Sequence, residues 1–575
     1  GARMRPLPRF QPRAAYPVAP PLTKAGPADS KPAYRRAADF YLVRRREDHD
    51  CYFKRTFLKF AAAGAAAVPA SPLLAADAKA EPKTHWDTET DVLVIGYGGS
   101  GGAAAITAHD AGAKVLVIEK MKDGGGNTRA SGGGFIIPKN ADEAYQYLEK
   151  TFLFADNEMD GALVRTFCER AVKLPEFFKR IAPASKLRVT GHANYPYLPF
   201  AENITKYRVG GHQPGGIELF KVLRTAVETD RKIPVWLGSP AKELIREGNT
   251  VVGALVEHDG KLVRVRARRG VILACGGYEY DPQSLQNFAQ GTKILGLGNP
   301  GNTGDGLRMA ASMGARLWHM TSYSCPLGIK VPGCKAAVFV TMMTPNYIMV
   351  NQDGKRFCNE AGVDFHGFIY AVNPLNGVEH KYPAIPCYIV MDEAGRLAGR
   401  PTHFKYGYAA GIEGYHWSED SSAEIKSGVV KKADTLEELA KLIHVPADAL
   451  KAQVAKWNAD IRAGRDTEFG RKIKKTGKSA FIGTDVPTLS APLSEKGPYY
   501  AIEAYPALLN TQGGPKRDVK ARVMDVFDRP VPRLYVAGEL GSIWGSIYQG
   551  SSNVCEALVY GQIAGESAAG EKPLS

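Results

Sequence analysis

The chain lacks several features that would have fixed its class directly. Its eight cysteines include no C-x-x-C pair and no C-x-x-C-H run. A small disulfide scaffold, a zinc site and a covalently attached haem are therefore not indicated, and no metal-ligand set is expected. Most of these thiols read as small buried apolar residues. No apolar run is long enough to span a bilayer, so a transmembrane segment in the mature chain is not expected. A basic body is missing too, despite a formal net charge of +15. Residues 1–60 hold fourteen Lys or Arg against five Asp or Glu and carry +9, leaving +6 for the other 515 residues. That balance argues against nucleic acid as a partner.

What is present begins with an address. Residues 1–53 are rich in Pro, Ala and Arg without an apolar period, and are expected to form a disordered extension. The run "KRTFLKFAAAGAAAVPASPLLAADAKA", residues 54–80, has a basic start, a short Ala-rich stretch and the small-residue spacing Ala76-Asp77-Ala78. This is the order of an export signal; Pro69 and Pro72 argue against one continuous helix. "KRTFLKF" is similar to the twin-arginine signal, with Lys54 in place of the first arginine. That similarity implies a periplasmic or otherwise exported protein that is folded, with its cofactor, before transport. The whole chain is 44% hydrophobic and 23% charged, a globular composition, and its 575 residues are enough for more than one core.

The segment "TDVLVIGYGGSGGAAAITAHDAGAKVLVIEK" predicts a buried strand over 91–95, a glycine turn, a small-residue helix and a second strand ending at Glu119. Its motif is Gly96-x-Gly98-x-x-Gly101, with Gly99 in the same turn. Gly96 permits the tight turn, Gly98 lets the backbone approach a pyrophosphate, and Gly101 brings the helix close to the strand. Glu119, eighteen residues after Gly101 and followed by Lys120, is placed to accept from a ribose. The motif alone does not separate NAD from FAD. The next stretch, "EKMKDGGGNTRASGGG", sets Gly126, Gly132 and Gly133 around Asn127, Thr128 and Ser131. Such a loop lays backbone against a large planar ligand, which a nicotinamide cofactor does not require here.

With these runs the sequence resembles the FAD-binding subunit family of fumarate reductase and succinate dehydrogenase, which includes flavocytochrome c, urocanate reductase and the 3-ketosteroid dehydrogenases. Further matching runs are "RRGVILACGGYEYD" (268–281), "GNTGDGLRMAASMGA" (301–315), "VNQDGKRFCNE" (350–360), "RLYVAGE" (533–539) and "VYGQIAG" (559–565). The resemblance implies FAD as cofactor and an α/β fold: a Rossmann-like FAD-binding domain with an inserted α+β capping domain. FAD-binding segments are expected at 86–323 and 498–575, with the cap and substrate domain at 324–497. It also implies cofactor contacts from Ala274, Asp305, Gly538, Glu539, Ser552, Asn553 and Val554. Asp305 and Glu539 have turn or cap roles as alternatives.

Carried over position by position, the polar set that grips a dicarboxylate in fumarate reductases is absent. Cys325 precedes Pro326 where a histidine is expected, and a Thr-Glu pair falls at Phe339 and Val340. The proton-donating arginine aligns with Asp364, a further histidine with Asn510, and the last arginine with Tyr548 or Gln549. Without those charges two carboxylates would be desolvated unpaired, at several kcal/mol per ion. Tyrosines in "NYPYLPF" (194–200), "TPNYIMVN" (344–351) and "YQGSSN" (548–553) could instead line a flat apolar pocket. Tyr548 is the leading catalytic candidate, as hydrogen-bond donor to a substrate carbonyl or as proton carrier, with a packing role as alternative. His212 in "VGGHQPGG" is a second acid-base candidate.

The leading expectation is an exported FAD oxidoreductase acting on CH–CH groups next to a carbonyl, on an apolar cyclic or aromatic, ketosteroid-like substrate. A respiratory enoate reductase for urocanate-like or cinnamate-like acids is the alternative, and a flavin electron carrier without a substrate site stands third. With no haem motif, electrons are expected from or to a separate cytochrome, quinone-linked protein or dissolved acceptor.

Overall fold

The computed structural model describes residues 85–153, 158–211, 215–291, 293–342, 344–402, 415–474, 488–547 and 549–575. The expected extension and export signal, residues 1–53 and 54–80, lie outside the described residues. Strand β1 (Thr88–Ile95) ends in four consecutive apolar residues, Val92 to Ile95, all buried. Unbroken apolarity of this kind belongs to a parallel strand covered on both faces. It pairs in parallel with β2 (Val115–Ile118) on one side and β3 (Lys261–Leu273) on the other. The sheet has eight strands and continues from β3 to Pro530–Val536 and Arg522–Met524, and from β2 to Val235–Trp236. Ala241–Glu247 and Thr250–His258 extend it as an antiparallel meander on β3.

Register decides where the site falls. Ile95 is paired with Leu273, and Leu273 with Val536. The three chains therefore leave the sheet together at Gly96, Ala274 and Ala537, which is where open parallel sheets place their ligands. Helix α1 (Gly99–Asp110) follows β1 and lies against the last helix, α2 (Ser552–Ala569). The small residues "GSGGAAA" at the start of α1 allow that approach.

A second, seven-stranded sheet is built around β4 (Tyr499–Leu508). That strand pairs antiparallel with Leu327–Ile329, Cys387–Asp392 and Val430–Ala433, and parallel with Leu295–Gly296. The segment 499–508, expected with the second FAD-binding part, is thus the centre of the other sheet. Helix Ala447–Arg462 covers one face with the fully buried Trp457. Within this layer Arg356 is held at 2.8 Å by Glu360 and at 2.9 Å by Asp466. A third, three-stranded antiparallel sheet joins Phe135–Pro138, Ile204–Val209 and Leu187–His192. The architecture is the expected α/β class, a Rossmann-like parallel sheet accompanied by an α+β layer.

Candidate functional site

The main cavity opens where β1 and β3 end. Gly96 leaves β1 at φ +104°, and a Cβ there would stand 2.3 Å from the Ala274 carbonyl oxygen. A Cβ at Gly101 would stand 1.9 Å from the Gly96 carbonyl oxygen, so no larger residue fits. Gly98 has nothing nearer than the Gly125 carbonyl oxygen at 3.6 Å, and with Gly99 it faces the cavity. An anionic group can rest there against the amino end of α1. Gly99 N donates to Thr128 Oγ1 at 3.1 Å, tying this turn to the second glycine loop.

At one end Glu119 accepts from the Tyr97 and Met121 amides, both at 2.8 Å. Burial raises its carboxyl despite those bonds. A carboxylate has about four lone-pair sites, so ribose hydroxyls can still be accepted. Lys120 and Asp305, both lining the cavity, pair with each other at 2.5 Å. Further along, Gly126, Asn127, Thr128, Ser131, Gly132 and Gly133 form one wall, with Ala274 and Glu539 also lining the cavity. Ser131 Oγ donates to the Thr128 carbonyl at 2.8 Å and accepts from Gly133 N at 2.9 Å, which bends the loop around the space. Asn127 is fully engaged: Oδ1 accepts from Asn299 N at 2.6 Å, and Nδ2 lies 2.7 Å from both Glu279 Oε1 and Glu539 Oε2.

The far wall belongs to the start of α2, where Asn553 and Val554 line the cavity. Asn553 Oδ1 is buried and has no partner among the described residues. A buried acceptor of this kind calls for a donor from whatever fills the cavity. The open glycine turn at one end and this acceptor at the other fit a long dinucleotide ending in a ring that carries N–H.

Near the start of α2 the cavity has a polar wall, with Asn194, Lys206, Arg208, His366 and Gly550 in its lining; Phe339, Thr341, Leu509 and Asn510 line the same cavity. Gly550 is in contact with two of these. A Cβ on it would lie 3.1 Å from Asn194 Oδ1 and 3.2 Å from His366 Cε1. Gln549 fixes Asn194 from behind: its Oε1 accepts from Asn194 N at 2.8 Å and from Tyr147 Oη at 2.6 Å, and its Nε2 donates to Asn194 Oδ1 at 3.0 Å. Lys206 donates to the same Asn194 oxygen. Asp364 opens the short turn that carries His366, accepting from His366 N at 3.0 Å, with the imidazole Nδ1 3.6 Å from its carboxylate. Tyr195 Oη donates to Asp364 at 2.6 Å. Burial works to raise Asp364, but hydrogen bonding and charge from His366, then Tyr195, outweigh it and hold the carboxyl below 3.8. The Tyr195 phenol is pushed up, first by burial and then by that carboxylate.

The turn at 538–543 is anchored by a buried cation. Arg517 donates to the carbonyls of Gly538, Leu540 and Gly541 at 2.7, 3.1 and 2.8 Å and lies 3.3 Å from Glu556.

Sixteen of the nineteen expected cofactor contacts line the cavity; Gly101, Gly538 and Ser552 do not. Gly101 sits under Gly96, a Cβ on Gly538 would meet Ser100 Oγ at 2.7 Å, and the fully buried Ser552 donates to the Gln549 carbonyl. These three shape the walls. His212 and Tyr548, the two catalytic candidates, lie outside the described residues. The other tyrosines do not make an apolar lining: Tyr195 faces Asp364, Tyr197 is 74% exposed, and Tyr347 is buried beneath Arg471. Burial raises the thiol of Cys275 to about 12 and that of Cys325 further, so neither is a ready thiolate. Asn194, Lys206, Arg208 and His366 were not expected from the sequence. One signal was available: in "ITKYRV" the strand period puts Lys206 and Arg208 on one face.

Residues 91–554 match the family model for the FAD binding domain. The 3-oxosteroid 1-dehydrogenase of Mycolicibacterium smegmatis is 26% identical over 567 residues, covering 83% of this chain and 96% of that protein. The NADH:acrylate oxidoreductase of Vibrio harveyi is 27% identical, covering 85% of this chain and 52% of that protein. Among solved structures, the 3-ketosteroid delta1-dehydrogenase from Sterolibacterium denitrificans, in complex with 1,4-androstadiene-3,17-dione, aligns with a TM-score of 0.73 at 26% identity. That alignment covers 84% of this chain and 99% of the other.

Proposed function

The chain belongs to the FAD-binding-domain family and is an FAD-dependent oxidoreductase acting on CH–CH groups; from that premise we propose that it reduces a carbon–carbon double bond conjugated to a carboxylate. The observation that carries this reading is the polar wall, where Lys206 and Arg208 project from one strand face beside Asn194 and His366. A wall of two cations and an amide suits a carboxylate better than a steroid ring. One carboxylate needs fewer cations than two, in keeping with the missing dicarboxylate set.

Gly98, Gly99 and the amino end of α1 would hold the pyrophosphate of FAD, Glu119 its ribose, the loop at 126–133 its planar ring, and Asn553 a ring N–H. Bound there, FAD supplies two-electron chemistry at the carbon–carbon bond. Asn194 and Lys206 orient the substrate carboxylate. His366 holds the proton for the adjacent carbon, with Asp364 3.6 Å from its Nδ1 to orient the ring. Phe339 and Leu509 exclude water from the same wall. We place the cap in the second sheet, β4 included, which leaves the substrate enclosed between that layer and the parallel sheet.

The run at 54–60 supports export by a twin-arginine-like route. No helix among the described residues is long and apolar enough to cross a membrane. The electron donor in this reading is a separate molecule.

Oxidation of reduced viologen by the FAD-loaded protein tests the substrate class. Turnover with aryl acrylates or urocanate-like acids supports the proposal; turnover only with ketosteroids and an artificial acceptor overturns it. The steroid reading is the second one, favoured by the similarity along 96% of a protein named for that reaction.

A further inference from the structure

Behind the main cavity two acids stand together where a pair of negative charges would repel. Glu279 is 1% exposed, and Glu539 lines the cavity. The same Asn127 amide nitrogen reaches both, and Asn302 Nδ2 also donates to Glu279 Oε1 at 3.1 Å. Thr511 N donates to Glu539 Oε1 at 3.1 Å. Glu279 Oε2 receives no donor among the described residues. A single point, the Cβ position on Gly277, lies 2.7 Å from that oxygen and 2.3 Å from Glu539 Oε1, so the two oxygens are within about 5 Å of each other. A single proton held between the two carboxyl groups would give Glu279 Oε2 a donor and remove one of the two charges. Neither has an ion-pair partner among the described residues. The titratable groups around them are Tyr278, whose phenol donates to the Met320 carbonyl at 2.6 Å, and Tyr280, whose phenol donates to the Gly298 carbonyl at 3.0 Å.

Glu279 also belongs to the wall of a second cavity, whose lining shares no residue with that of the first. That space is lined by Leu285 and Ala337 and by the exposed Lys293, Lys330 and Lys335. Like charges this close and this dry do not both ionise. Burial first, and then the charge of Glu279, push the Glu539 carboxyl well above the ordinary carboxylate range; burial raises Glu279 in the same direction.

We infer that Glu279 and Glu539 share one proton and form a proton-exchange link between the outer, lysine-lined cavity and the cavity that takes FAD. Reduction of one carbon–carbon double bond consumes two electrons, from a donor of the class that reduces flavins, and two protons from water. In the link an O–H bond on Glu539 breaks as its proton passes to a base in the main cavity. Glu279 then takes a proton from water in the outer cavity, the hydroxide left behind is neutralised in bulk solvent, and the new proton is again shared with Glu539. The lysines at the outer mouth repel a proton in transit, so water between them and Glu279 carries it.

Infrared spectroscopy of the FAD-loaded full chain, without substrate, tests this independently of the enoate reading. A carboxylic C=O band persisting at pH 8 and shifting in heavy water is expected, and it is lost in Glu279→Gln while flavin absorbance is retained. A band absent from the wild type, or unchanged in Glu279→Gln, overturns the shared proton. If that variant does not fold, titration of the wild-type band decides: loss in the ordinary carboxylate range overturns it. Leu285→Trp, which fills the outer cavity, is expected to slow heavy-water exchange of the band. Unchanged exchange overturns the outer route.

Discussion

Replacing Gly550 by alanine gives the sharpest test of the polar wall. The added methyl would lie 3.1 Å from Asn194 Oδ1, and 3.2 Å from both Asn194 Nδ2 and His366 Cε1. Ordinary contact begins near 3.4 Å, so the neighbours must give by a few tenths of an ångström or the turn must move. Gly550 is outside the left-handed region, so the backbone itself accepts alanine and the penalty is steric. The neighbours have little freedom: Asn194 is bonded to Gln549 through its main-chain nitrogen and its side chain, and Asp364 caps the turn of His366. Overpacking of this kind costs about 1–3 kcal/mol. A shift of about 1 Å in groups that position a reacting bond costs up to about 10²-fold in rate. We therefore expect Gly550→Ala to keep FAD, read by flavin absorbance, and to lose about 10- to 100-fold in kcat/KM for an enoate in the viologen assay. Wild-type kinetics in a variant with full flavin content would refute the placement of substrate at this wall. So would loss of flavin with turnover per bound flavin unchanged.

Other substitutions probe separate links. Lys206→Met is expected to raise KM for carboxylate substrates about tenfold, equivalent to roughly 1.4 kcal/mol, with kcat nearly unchanged; an equal fall in kcat would contradict a binding role. Asp364 has a depressed folded-state pKa, so its stabilisation is present above the unfolded carboxylate value of 3.8 and is lost as pH falls through the lower folded value. Asp364→Asn should therefore cost about 2 kcal/mol in chemical denaturation at pH 7, with the gap to wild type closing below about pH 4. Arg517→Leu leaves Glu556 buried without its cation and should cost about 3–5 kcal/mol, seen as a lower denaturation midpoint. Glu279→Gln removes a carboxyl whose pKa is raised by folding, a group that favours the folded state less as pH climbs. Its thermal midpoint relative to wild type should therefore rise between pH 5 and pH 8.

Local chemistry was legible in the sequence wherever a residue's role depends on its immediate neighbours in the chain. Gly96 and Gly101 are required by backbone contacts within one turn, and Val92 to Ile95 announce a strand buried on both faces. Asn553 could be placed because it opens a helix after a glycine and serine turn. What depends on distant partners was not legible. Tyr195 sits in a run that reads as a pocket lining, yet its hydroxyl is taken by Asp364, 169 residues away. Asn127 reads as a ligand contact, but its amide joins Glu279 to Glu539 across 152 and 412 residues of chain. His366 reaches the cavity only through the turn that Asp364 caps and through its approach to Gly550, 184 residues away, neither of which its neighbours in the chain announce. Residues 499–508 fall by sequence in the expected second FAD-binding segment, and only their pairing with 387–392 and 430–433 puts them in the other sheet.

The most direct measurement is anaerobic: the FAD-loaded protein is reduced stoichiometrically, candidate substrates are added, and flavin absorbance is followed. We expect aryl acrylates or urocanate-like acids to reoxidise the flavin with saturable rates, weakened by Lys206→Met, while ketosteroid dienones leave it reduced. Reoxidation by the dienones alone, or a flavin whose redox state ignores every conjugated double bond, would contradict the proposed function.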